Sequence, residues 1–179
     1  MRHRLAAGIA AVVLTMMCWT MLVSPSDEIT PRGSRRTAPG FSLNDDVGVP
    51  VKLSDYKGRV VLLNFWATWC HGCKTEIPWY VEFSNKYKDS GLVVIGVSMD
   101  DDGWKSVKPF VEEKKLNYPI VIGNEALASK YGALHNMPVS VLIDRDGKIA
   151  DSHAGVVERD NWEEKIEKLL QETPQPTSR

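Results

Sequence analysis

The sequence predicts a single α/β domain built on a central mixed β-sheet flanked by helices. Apolar runs of strand length recur at 60–66, 92–99 and 139–143, segments with apolar residues three or four apart lie between them, and turn residues punctuate the alternation. The chain has 179 residues, 43% hydrophobic and 25% charged, so roughly 140 remain beyond an apolar N-terminus to bury one core without staples. A formal net charge of −1 supplies no field that would gather nucleic acid, and no nucleic-acid partner is expected.

Taken in order, the chain opens on Arg2, His3 and Arg4, followed by an uncharged run of 19 residues from Leu5 to Val23, enough helix to cross a hydrocarbon core. The alternatives are an uncleaved anchor and a cleaved signal; Met21-Leu22-Val23-Ser24-Pro25 is a poor cleavage context, which favours the anchor. Cys18 reads as an apolar passenger, because Met16 and Met17 are bulky where a lipidation site needs small residues. Arg32, Arg35 and Arg36 beyond the span partly offset the basic flank before it, so orientation rests on the usual dominance of the first span and on the cysteine usage. Residues 24–38, rich in Pro, Ser, Arg and Thr, read as a flexible linker, 39–172 as the domain and 173–179 as a disordered tail.

Within the domain, Phe41–Leu43 and Val49–Leu53 alternate around Asp45, Asp46 and Gly48 as a hairpin would. Val60–Trp66 is almost continuously apolar, as a strand covered on both faces must be. A helix should begin near Cys70 and carry Tyr80, Phe83 and Tyr87 on one face. Leu92–Met99 is a second buried strand, Trp104–Lys115 a helix, Tyr118–Ile122 a short extended piece, and Asn124–Tyr131 a helix stopped by Gly132. Val139–Ile143 forms a third strand, Asp146-Gly147 turns the chain, Lys148–His153 returns, and Trp162, Ile166, Leu169 and Leu170 give a final helix its apolar face.

The chemistry gathers at Trp69-Cys70-His71-Gly72-Cys73, where an apolar strand runs directly into a helix. Two thiols three residues apart at a helix start lie on one face and can close a small ring. Unpaired amides and the positive end of the helix dipole favour a thiolate at Cys70, the attacking sulfur, while Cys73, a turn deeper, resolves the mixed disulfide. A structural zinc site is excluded by the lack of a second CxxC or an HxxxH, and no metal ligand set is assigned. A copper carrier using Cys70, Cys73 and a histidine, His71 or His135, with Met137 nearby, stands as the reading from another class.

Phe65-Trp66-Ala67-Thr68-Trp69-Cys70-His71-Gly72-Cys73-Lys74, with Pro78 after it and Met137-Pro138 before a strand, resembles the active-site signature of the thioredoxin superfamily. The hairpin before the first core strand, the insertion around Trp104–Lys115 and the apolar N-terminus make it most similar to the TlpA/ResA-like, cytochrome c maturation group. The resemblance implies a thioredoxin-like fold with an N-terminal β-hairpin and a central insertion. It implies thiol-disulfide exchange without any cofactor beyond the redox-active Cys70–Cys73 disulfide, a cis peptide at Pro138, and docking of a partner at Trp69, Met137 and Pro138. Asn64 stands where cytoplasmic thioredoxins place a buried aspartate, so Glu76 becomes the candidate for tuning the thiols and moving a proton; a solvated helix residue is the alternative. His71, in place of a commoner spacer residue, would stabilise the Cys70 thiolate when protonated and leaves the direction of electron flow open.

The expectation is therefore a membrane-anchored, extracytoplasmic (periplasmic) oxidoreductase exchanging disulfides with protein thiols. It would act as a reductant fed by a membrane electron-donor protein, with apocytochrome c as the substrate the resemblance implies. An oxidant or isomerase of the same chemistry is the first alternative.

Overall fold

The structure, a computed structural model, describes residues 28–174; the expected anchor at 1–23, Cys18 and residues 175–179 lie outside that range. Among the described residues no helix is long and apolar enough to cross a membrane.

A hairpin of β1 (Ser42–Asn44) and β2 (Pro50–Lys52) leads into a five-stranded sheet in the order β5-β4-β3-β6-β7. Its strands are β3 (Val60–Trp66), β4 (Leu92–Ser98), β5 (Ile120–Ile122), β6 (Val139–Ile143) and β7 (Ile149–Ala154). β3 pairs parallel with β4 and antiparallel with β6, the mixed pattern expected. Every residue of β3 is buried because the sheet is covered on both faces, which is why the strand reads as an unbroken apolar run.

One face carries Val60, Leu62 and Trp66 against α1 (His71–Tyr87), α2 (Trp104–Lys114) and α4 (Arg159–Gln171). The other carries Val61, Leu63 and Phe65 against α3 (Glu125–Tyr131) and the N-terminal part of the domain. Asn124 caps α3 by accepting from the Leu127 amide at 2.9 Å, and Gly132 ends it with a left-handed φ of 75°, where a side chain would be strained.

The linker expectation is corrected from Ile29 onward. Ile29 packs against the core, the Thr30 amide donates to Ala150 O at 2.8 Å, and Thr37 bridges antiparallel to Lys148. The Arg35 side chain, 2% exposed, reaches Asp144 at 2.9 Å and Glu172 at 2.6 Å. Three arginines in a proline-containing run read as solvated tether, yet one of them is a buried ion-pair centre, and the domain begins about ten residues earlier than expected.

Candidate functional site

β3 ends at Trp66 and α1 begins at His71, so the intervening loop sits at the tip of the central strand. Asp100, 6% exposed just beyond β4, holds that loop by accepting from the Thr68 amide at 3.0 Å, from the Thr68 hydroxyl and from Ser98 Oγ at 2.8 Å. Sequence reasoning passed over Asp100, although Thr68 and Asp100 each follow a buried strand and could have been paired on that basis.

Cys70 is the N-cap of α1, and its Sγ accepts from the Cys73 amide at 3.1 Å. The two cysteines form a disulfide with Cα atoms 5.3 Å apart. Cys70 keeps 6% of its surface and Cys73 none, the asymmetry an attacking and a resolving sulfur need. His71 is exposed at the first helical position, and Trp69, at 64% exposure, stands beside the pair. The helix continues through Pro78, where the missing amide leaves the Lys74 carbonyl without its helical partner.

The Met137–Pro138 peptide is cis, and Pro138 packs on the start of α1. A Cβ on Gly72 would lie 3.2 Å from Pro138 Cδ and 2.8 Å from Val156 Cγ2, so glycine is what allows the loop to approach the cysteines. Trp69, Leu134 and Val156 expose apolar surface, and Met137 is half-buried. The expected docking residues Trp69, Met137 and Pro138 thus belong to the loops bordering the disulfide.

Glu76 has no exposed surface, which removes the alternative of a solvated helix residue. Its Oε1 accepts from the Val157 amide at 2.7 Å, and its Oε2 has no hydrogen-bond partner. Burial pushes its pKa up to about 7; the Val157 amide and the nearby Tyr80 hydroxyl offset part of that rise. The resting hydrogen bond of Tyr80 goes elsewhere, to Ser140 Oγ at 2.7 Å, and Ser140 also accepts from Asn64 Nδ2 at 3.1 Å. Asn64 therefore does not replace a carboxylate in function; it anchors a polar string across the core toward the carboxyl on α1.

Among the described residues no group of three or more His, Cys, Asp or Glu side chains stands together as a metal site, and His135 is an exposed loop residue. The copper reading gains no ligand cluster from the fold.

The AhpC/TSA family matches residues 35–152, beginning at the buried arginine and ending within β7. The thiol-disulfide oxidoreductase ResA of Bacillus thuringiensis subsp. konkukian is 37% identical over 136 residues, 75% of this chain and 77% of the relative. ResA of Geobacillus kaustophilus is 32% identical over 162 residues, 90% of this chain and 92% of the relative. A crystal structure from Chlorobium tepidum, provisionally assigned as the thiol:disulfide interchange protein DsbE, superposes with a TM-score of 0.69 at 33% identity, over 76% of this chain and 96% of that one.

Proposed function

The chain belongs to the AhpC/TSA family and, with the ResA proteins it resembles, is a thiol-disulfide oxidoreductase; from that premise we propose that it reduces disulfides of extracytoplasmic proteins through Cys70 and Cys73. The observation that carries this reading is the pairing of a helix-capping Cys70 with a buried Cys73 one turn from a buried carboxyl.

In the reduced enzyme the Cys70 thiolate, favoured by the Cys73 amide and the helix terminus, attacks a substrate disulfide R–S–S–R′. A bond forms between Cys70 Sγ and the sulfur of R–S as the substrate S–S bond breaks, and R′–S⁻ departs and takes a proton. Cys73 then loses its proton to the Glu76 carboxylate and attacks Cys70 Sγ, expelling R–S⁻ and regenerating the internal disulfide. Two electrons have moved from enzyme to substrate, and a dithiol donor must return them.

The balance of charges favours the reducing direction. A carboxylate without surface acts on Cys73 through a poorly screened interior and opposes thiolate formation, which stabilises the disulfide relative to the dithiol. His71 would push the other way, but it is exposed and screened by solvent.

The apolar run from Leu5 to Val23 supports a membrane anchor. With docking from Ile29 onward, residues 24–28 span at most about 17 Å, which would hold the domain close to the membrane and to a membrane-embedded electron donor. Haem-binding cysteines of an apocytochrome c are the substrate suggested by likeness to the cytochrome c maturation group.

Trapping tests the division of labour. Cys73→Ser should accumulate mixed disulfides with partners, whose identity mass spectrometry would report, and Cys70→Ser should accumulate almost none. Equal trapping by both would refute the assignment. A reduction potential near about −270 mV supports the reductant, and one near about −120 mV the oxidant.

A further inference from the structure

Three buried polar groups on three different elements line up behind Glu76, and none of them takes part in the exchange steps above. Asn64 on β3 and Ser140 on β6 are directly opposed in the antiparallel pair, with Asn64 Nδ2 donating to Ser140 Oγ at 3.1 Å. Ser140 Oγ lies 2.7 Å from Tyr80 Oη, and Tyr80 follows Glu76 by four residues, on the same face of α1. All four residues are at most 1% exposed.

Proton counting gives the string a direction. Asn64 presents a donor to Ser140, leaving its own Oδ1 unpaired. The flipped amide would instead leave both of its protons unpaired in the core, the costlier defect. If Tyr80 donated to Ser140, the serine proton would have no acceptor and Glu76 Oε2 would keep no donor. If Ser140 donates to Tyr80, the serine proton has its acceptor and the tyrosine proton is free to turn toward Oε2, which has no partner at hydrogen-bond distance in the structure.

We propose that Tyr80 is a positioning residue for Glu76: oriented by Ser140 and Asn64, it presents its hydroxyl proton to the free carboxylate oxygen and stabilises the charged form that receives the Cys73 proton. Amide at position 64 is essential to this direction, since a carboxylate there would accept from Ser140 and draw the Tyr80 proton away from Glu76. The groups facing Glu76 are Tyr80 from its own helix, the Val157 amide from the segment before α4, and Tyr118 from the segment before β5. Tyr118 Oη is buried without a hydrogen bond, and burial first, then the negative charge of Glu76, holds it protonated.

The proposal rests on the exchange mechanism only through the role of Glu76, and its test separates the two. In protein labelled at the glutamate carboxyl carbon, NMR titration of the reduced enzyme reads Glu76 directly. Tyr80→Phe should raise its midpoint by about one pH unit, because a donor to the carboxylate is lost. Asn64→Leu, which frees Ser140 to accept from Tyr80, should raise it partway. The pH profile of disulfide exchange should move with Tyr80→Phe in the parent enzyme and stay unmoved in the Glu76→Gln background. A Glu76 midpoint unchanged by Tyr80→Phe, or the same profile shift in both backgrounds, overturns the proposal. Absence of exchange activity from the parent enzyme would instead overturn the function and leave the titration result standing.

Discussion

Glu76 pairs complete burial with a single hydrogen bond, so its charge has a cost that depends on pH. The folded-state pKa, about 7, lies above the ordinary value of 4.5, so the folded protein binds more protons than the unfolded chain between those two values. Stability contributed by the neutral carboxyl is therefore fully present below about pH 4.5, is lost as pH rises toward 7, and stays lost above. Gln at this position keeps an acceptor for the Val157 amide and never ionises. Glu76→Gln should thus match the parent at pH 4.5 and exceed it by on the order of 3 kcal/mol at pH 8, measured by urea unfolding of the oxidised form. A constant difference across that range would show that the carboxyl is not ionising in the interior. Its candidacy was legible in the sequence, one turn beyond Cys73, but its burial was not: the amide that holds it belongs to Val157, 81 residues away, and no local pattern announces that contact.

The element that sets the site is α1, whose first turn is clamped between two loops. A Cβ on Gly72 would meet both Val156 and Pro138, at distances that leave no room for a methyl group. Proline is rigid, whereas Val156 is 43% exposed and can turn away, so the strain of a side chain here falls first on Val156 and then on the loop. Gly72→Ala should keep the fold, since alanine favours helix, while costing about 1–2 kcal/mol of overpacking. Exchange with a protein disulfide should slow more than exchange with a small disulfide, because the displaced loops border the docking surface. Val156→Ala added to Gly72→Ala should recover much of the stability; failure to recover any would mean that the clash is with the proline alone. The strands and helices around this clamp were readable in advance because each obeys one period: Val60–Trp66 is buried throughout, and Tyr80, Phe83 and Tyr87 repeat along one helix face. The Ser140–Tyr80 contact was not readable, since a lone serine in an apolar strand carries no signal of its partner.

At the scale of the whole molecule, the two ends of the domain are tied together by one guanidinium. Arg35 donates to Asp144 in the turn between β6 and β7, to Glu172 just past α4, and to the Thr30 carbonyl. Asp144 is itself 2% exposed and accepts from the Asp146 and Lys148 amides, so removing the arginine would leave a buried carboxylate with neutral partners only. The segment 24–38 disguised this because composition reports average polarity, whereas one ion pair depends on residues 109 and 137 positions away. Arg35→Met should cost about 3 kcal/mol of stability in urea unfolding, and Arg35→Met with Asp144→Asn should recover more than half, because asparagine keeps the acceptor for the two amides without the charge. Exchange kinetics should be unchanged in both variants below their unfolding transitions. Asp144 lies past the far end of β6 from Pro138, a strand of five residues and about 17 Å, so the clasp and the cysteine pair occupy opposite ends of the sheet. A loss under 1 kcal/mol in Arg35→Met would return the segment to the status of a tether, and a slowed exchange rate with stability intact would mean that the clasp reaches the site through the sheet.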